Sequence, residues 1–383
     1  MSRLPPPRVY PDQHPHLGLR ALTWARLGLA MAAAVLTAAC GGGGGGGGTT
    51  PVPPPSPTPP PPPSLVVPLT GTLQTSVPAP VYAANSEEQA AFAIYNEIRQ
   101  KSGAGLFRQE PKLDTAALGH LTWIAKNGIN THTQPVGSAG FTGATVTDRI
   151  RAAGFTEAVR SSEGIGGRNI LNPKGTCAPL SVPYHAADFF NSWTHVGFSL
   201  FDLSTIPGPY TGLTGAYGCV YNMSLTDSAQ LGQVPPSGAL VTYPFDGGTG
   251  IHRAVIGNEI PRPPIALFPN LISGPSVVVG ARNADYVNWK ADGSLSPTVT
   301  QFEVKDDLGN VLPFTILAHS ALKSGPGVVL NADARIPEGM AVGVVMSPLT
   351  IGKVYRVNYS ITLKPGATPI TKSWTFTANE TGI

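Results

Sequence analysis

The chain of 383 residues is long enough for two domains, and 40 Pro with 45 Gly are too many for one uniformly compact fold. Of its 25 basic and 22 acidic residues, four Arg and one Asp precede Cys40, which leaves 21 of each sign beyond it. That balance excludes the basic footprint of a nucleic-acid binder, and no nucleic-acid partner is expected.

Residues 1–39 read as an export signal. Arg3, Arg8, Arg20 and Arg26 precede an apolar run from Leu27 to Leu36 that is too short for a permanent membrane span, and small residues follow it. The ending Leu36-Thr37-Ala38-Ala39-Cys40 resembles a lipobox, with Leu one place further from the Cys than usual. Lipidation of Cys40 would anchor the protein to the cell envelope, since each buried methylene adds about 0.8 kcal/mol. Gly41 after the Cys resembles the outer-membrane sorting class. Ordinary cleavage, with Cys40 a bystander, is the alternative.

Residues 40–83 read as a Gly/Pro-rich disordered tether, with Gly41–Gly48 a flexible coil and Pro51–Pro63 a stiffer spacer. Beyond Cys40 only Cys177 and Cys219 remain, and an oxidising compartment would join them; two free buried thiols are the alternative.

Helical signals open the next stretch. Ser86 starts a segment in which Ala91, Phe92, Ile94, Tyr95 and Ile98 recur with helix spacing until Gly103. A second helix follows Pro111 and stops at Asn127-Gly128; His120 on its apolar side reads as a satisfied core histidine. The glycine-punctuated loop from Gly137 to Thr145 leads into a short helix, Val146 to Ala153.

Five motifs now stand in order: Tyr95-Asn96-Glu97-Ile98-Arg99, Leu113-Asp114-Thr115-Ala116-Ala117, the His132 position, Asp148-Arg149-Ile150-Arg151-Ala152-Ala153-Gly154-Phe155 and Ser162-Glu163-Gly164-Ile165. Together they resemble the bacterial branch of the CAP superfamily, named for cysteine-rich secretory proteins, antigen 5 and pathogenesis-related 1 proteins. The resemblance implies a three-layer α-β-α sandwich over residues 84–230, with an open cleft lined by two His and two Glu. His132 matches the first His, Glu163 the glutamate of a Glu-Asn motif, and His185 in Pro183-Tyr184-His185 the second His. His195 is the weaker candidate for that place.

Gly164 stands where the family has Asn, and no second Glu or Asp occurs between Glu163 and His185; Asp188 lies just beyond. Two imidazoles and one carboxylate would suit zinc or a similar ion with an open position, or general acid–base work without metal. No Gly-x-Ser-x-Gly, His-Glu-x-x-His or Gly-x-x-x-x-Gly-Lys pattern occurs.

Residues 231–261 read as a turn-rich connector. From 262 to 383 seven short strand signals fit a β-sandwich that resembles the immunoglobulin-like modules of bacterial surface proteins, with Trp374 in its core. The expected class is therefore α+β. The expected function is ligand binding, of a lipid, peptide or cell-wall fragment, by an exported lipoprotein; the alternative is a hydrolase using His132, Glu163 and His185.

Overall fold

The computed structural model describes residues 71–168, 174–177, 180, 182–213, 215–227, 229–256, 259, 261–264, 267 and 272–380. The expected signal, Cys40 and the tether as far as 70 lie outside the described residues. Among the described residues no helix is long and apolar enough to cross a membrane.

The α1 helix (Glu87–Ser102) begins where the Ser86 hydroxyl accepts from the Gln89 N–H and stops at Gly103 in the left-handed region. A two-residue strand, β1 (Arg108–Gln109), precedes α2 (Pro111–Asn127), which starts on Pro and stops at left-handed Gly128. In α3 (Val146–Ala152), Thr145 and Asp148 form a capping box. There follow β2 (Arg160–Arg168), α4 (Pro183–Phe189), β3 (His195–Asp202) and β4 (Tyr217–Leu225).

These four strands form one sheet in the order β1-β3-β4-β2, with β1 parallel to β3 and the other pairs antiparallel. Alternation along β4 sends Tyr221 and Val220 to opposite faces. Tyr95 of α1 and Phe189 of α4 pack on the Tyr221 ring, at 6.2 and 6.1 Å between centroids. Leu121 and Ile124 of α2 pack with Val220 and Ile165. Helices thus cover both faces. Gly197 lets α2 approach closely, because a Cβ there would lie 2.2 Å from the Asp114 nitrogen. Cys177 and Cys219 are joined in a disulfide that closes a separation of 42 residues, with Cα atoms 5.4 Å apart.

The rest of the chain is mainly strand. It comprises β5 (Val241–Tyr243), β6 (Gly248–His252), β7 (Val255–Ile256), β8 (Ile272–Ser273), β9 (Ser276–Gly280), the α5 helix (Ala284–Ala291), β10 (Thr298–Lys305), β11 (Phe314–Ala318), β12 (Lys323–Ser324), β13 (Leu330–Ala332), β14 (Met340–Val345), β15 (Val354–Thr362) and β16 (Ile370–Asn379). Two five-stranded sheets result, β12-β10-β15-β16-β6 and β13-β11-β14-β9-β5. Phe302 of the first meets Phe314 of the second at 5.0 Å between ring centroids, and Trp374 is buried. The described residues therefore make an α+β fold.

Five features differ from the sequence reading. The last part of the expected tether is bound to the folded unit: Thr72 N–H donates to Val234 O at 2.8 Å, and Tyr82 OH to Asp114 Oδ1 at 2.6 Å. The expected connector supplies an edge strand to each five-stranded sheet, β5 beside β9 and β6 beside β16. Strands of three and five residues give too short a pattern to read against the turn residues between them.

The α5 helix was not expected; Asn283 caps it by accepting from the Tyr286 N–H at 3.0 Å. Two expected strands, Val311–Ile316 and Val328–Leu330, start later than the apolar pattern suggests, at Phe314 and Leu330. The expected boundary at 262 corresponds to no gap in packing. One cluster of buried apolar residues includes Tyr95, Phe189, Tyr243 and Trp374.

Candidate functional site

Glu163 stands midway along β2, opposite Asn222 on β4. Its side chain has no exposed surface, and a carboxylate removed from water requires partners. Arg149 of α3 places Nη2 at 2.8 Å from each carboxylate oxygen. His132 Nδ1 lies 3.1 Å from Oε1. Asn222 fits the network with its amide nitrogen 3.2 Å from Oε2 and its oxygen on the Ala117 N–H at 3.0 Å. Burial pushes the Glu163 carboxyl up, but the His132 hydrogen bond and the charge of Arg149 outweigh it and hold the group below its ordinary value.

His120 completes the buried layer as a neutral ring. Gln134 donates through Nε2 to His120 Nδ1 at 2.8 Å, and the Gln134 oxygen accepts from the Thr142 N–H at 2.8 Å, which fixes the amide orientation. His120 Nε2–H therefore donates to Thr131 O at 2.9 Å. Burial lowers its pKa to about 4, with the Arg149 charge acting the same way against Glu163. The expected core histidine is thus satisfied, yet it lies 3.5 Å from the Glu163 carboxylate and belongs to the same network.

Arg149 ties this layer to the loop carrying His132, because its Nη2 also donates to His132 O at 3.1 Å. Since the ionised Glu163 can only accept, His132 carries its proton on Nδ1 and keeps Nε2 as an acceptor. The ring is 34% exposed and lines a cavity of about 380 Å³.

His185, on α4, lines the same cavity. Its partner is Glu259, whose Oε1 accepts both the His185 backbone N–H and Nδ1–H at 2.8 Å. Asp188 does not fill that place: it accepts from the Ser162 hydroxyl, and burial raises its carboxyl above the ordinary range. The second carboxylate that the sequence lacks between Glu163 and His185 arrives from the connector. Glu259 Oε2 is buried without a hydrogen-bond partner among the described residues.

Leu121, Ile124, Ile165 and Leu203 form the apolar wall of the cavity, and Thr131, Tyr210 and Tyr217 add hydroxyls. His195 does not line it; its Nδ1 pairs with the Thr194 hydroxyl at 2.9 Å.

The site thus presents two imidazoles, each oriented by a carboxylate at Nδ1. It brings His132 and His185 to one cavity, with Glu163 beneath His132 as an orienting group. The expected three-residue metal set does not fit this arrangement, because Arg149 engages both Glu163 oxygens. Among the described residues no group of three or more His, Cys, Asp or Glu is disposed to hold a metal ion. Sequence reading missed Glu259, for which no local pattern exists. It also missed the role of Arg149, which stood inside a quoted motif but read only as part of a helix.

No protein-family model matches the chain, and no curated protein is significantly similar to it.

Proposed function

We propose that the chain is an exported, lipid-anchored protein of CAP type that binds an amphipathic ligand, a lipid, peptide or cell-wall fragment, in the cleft between His132 and His185. The observation that carries this reading is the pairing of His132 with Glu163 and of His185 with Glu259 around one cavity. An apolar wall beside two fixed imidazole acceptors suits a ligand with a hydrophobic body and a few polar hydrogens. Helices on both faces of the four-stranded sheet support the CAP-type layering. The two five-stranded sheets support the immunoglobulin-like β-sandwich, although the parallel pairs β10–β12, β11–β13 and β16–β6 and the α5 helix depart from a simple antiparallel sandwich.

Equilibrium binding of a fluorescent fatty acid, a peptide pool and soluble peptidoglycan fragments to the purified chain tests the reading. One of the three should saturate, with at least tenfold loss in His132→Ala and in His185→Ala; no saturable binding, or equal binding by the variants, would overturn it. Anchoring is tested separately, since Cys40→Ala should leave the membrane fraction.

The carboxylate–imidazole pairing also favours a second reading, acid–base hydrolysis in which Nε2 of one imidazole takes a proton from an attacking water and the imidazolium so formed returns that proton to the leaving group. Turnover of a peptide or ester library, lost in His185→Ala, would put this reading first.

A further inference from the structure

A second cavity, of about 500 Å³, lies away from the His132 cleft and is lined by Arg160 at the start of β2, Asn191, and Arg282, Tyr286, Lys290 and Glu338 of the β-rich half. Its charges do not balance. Lys290 Nζ contacts both Glu338 oxygens, at 2.6 and 2.7 Å, so that acid is committed to that lysine, with the Tyr286 hydroxyl at 3.3 Å. Arg160 and Arg282 remain without a carboxylate partner among the described residues. Arg160 packs its guanidinium 4.9 Å above the Trp193 ring, and Arg282 donates Nη1 to Leu231 O at 2.8 Å.

Two other acids reach these arginines electrostatically, and both are engaged elsewhere. Asp227 accepts from the Leu231 and Gly232 N–H groups at 2.8 and 2.7 Å, and Asp188 accepts from the Ser162 hydroxyl. Burial pushes the Arg282 guanidinium below its ordinary value; the Glu338 charge opposes that shift and the Arg160 charge reinforces it.

An independent feature points the same way. Asn191 is 5% exposed and lines the cavity; its oxygen accepts from the Ser192 N–H at 2.8 Å, while its Nδ2 is buried with no partner. A buried amide donor left unpaired is uncommon, and two neighbouring guanidiniums that repel each other are stabilised by an oxyanion placed between them.

We propose that this cavity binds the oxyanion group, phosphate or carboxylate, of a small anionic ligand. Arg160 and Arg282 supply the charge, and the Asn191 amide supplies a directional donor.

Titration calorimetry on the full chain in mild detergent, with inorganic phosphate in one arm and glucuronate in the other, tests this and separates the two sources. At least one anion should saturate with one site per chain, and its affinity should fall tenfold or more in Arg160→Gln and in Arg282→Gln. It should stay unchanged in Lys353→Gln, whose side chain is paired with Asp307. Arg282 also holds a backbone carbonyl, so Arg160→Gln, which removes no such contact, decides if Arg282→Gln fails to fold. Saturation by neither anion, wild-type affinity in Arg160→Gln, or an equal loss in Lys353→Gln would each overturn the proposal.

Discussion

Glu259 and His185 stand 74 positions apart in sequence, and one carboxylate oxygen of Glu259 meets both the backbone N–H and the Nδ1 of His185 at 2.8 Å. The contact joins the connector to the first turn of α4. Glu259→Ala should leave the His185 N–H without its acceptor and free the ring to rotate. Stability should fall by about 1–3 kcal/mol in urea titration, and ligand affinity in the cleft should drop. Glu259→Gln, which keeps an acceptor oxygen, should recover most of the stability. An alanine variant with wild-type stability and affinity would show that the pair does not organise the site.

Arg149 and Glu163 are both fully buried in their side chains, so removing one strands the other. Arg149→Met should cost about 3–5 kcal/mol, because the carboxylate would be left as an unpaired charge in the interior. The double variant Arg149→Met/Glu163→Met should lose clearly less than the sum of the single losses. Additive losses would mean that the two groups do not interact as their geometry indicates.

His120 sets the acid side of the stability profile. Its imidazole takes up a proton below about pH 6.5 when unfolded but only near 4 when folded, so the unfolded chain binds more protons across that window. Stability is fully present above 6.5 and falls as pH drops through the window, at up to about 1.4 kcal/mol per pH unit, or about 3 kcal/mol in total. His195, whose pKa burial also lowers, acts with the same sign. Glu163, held below its ordinary value of 4.5, adds a further loss as pH falls beneath that value. Urea midpoints at pH 7, 5.5 and 4 should show the decline, and His120→Gln should flatten it; an unchanged slope in that variant would assign the titration to other groups.

Much of the first half was legible because its signals are local. Ser86, Gly103, Pro111 and Gly128 mark helix ends by their own backbone chemistry, and the apolar residues between them repeat with helix spacing. Glu163 and His132 could be picked out by motif. Glu259 could not, since nothing near it in sequence reports that the chain folds back onto α4. Short edge strands such as β1 and β12 are set by their neighbours and carry no pattern. For α5 the cue was present in Asn283, an N-cap residue, but strong strand signals on either side obscured it.

Gly164, which stands where the resembled family has Asn, has a steric reason. A Cβ at this position would lie 2.1 Å from the Tyr221 ring, which is buried across it on β4. Gly164→Asn should therefore destabilise the chain, by about 1–3 kcal/mol for a tolerated overpacking and more if the sheet must shift. Combining it with Tyr221→Ala should cost less than the two separate losses added together. Thermal denaturation of the four proteins in this cycle decides; strict additivity would mean that the ring and the glycine are independent.

The strands β5 and β6 lie in different five-stranded sheets, and the stretch that holds them leads directly to Glu259. The compositional boundary in this chain thus falls inside one continuous packed core. Heating should give one calorimetric transition whose enthalpy equals the van't Hoff value, because neither half can melt without exposing the other. Two resolved peaks would show that the halves unfold separately. A chain cut at 262 should lose both the partners of β5 and β6 and the support of the second carboxylate, so the cleft would be lost together with a region that supplies none of its lining.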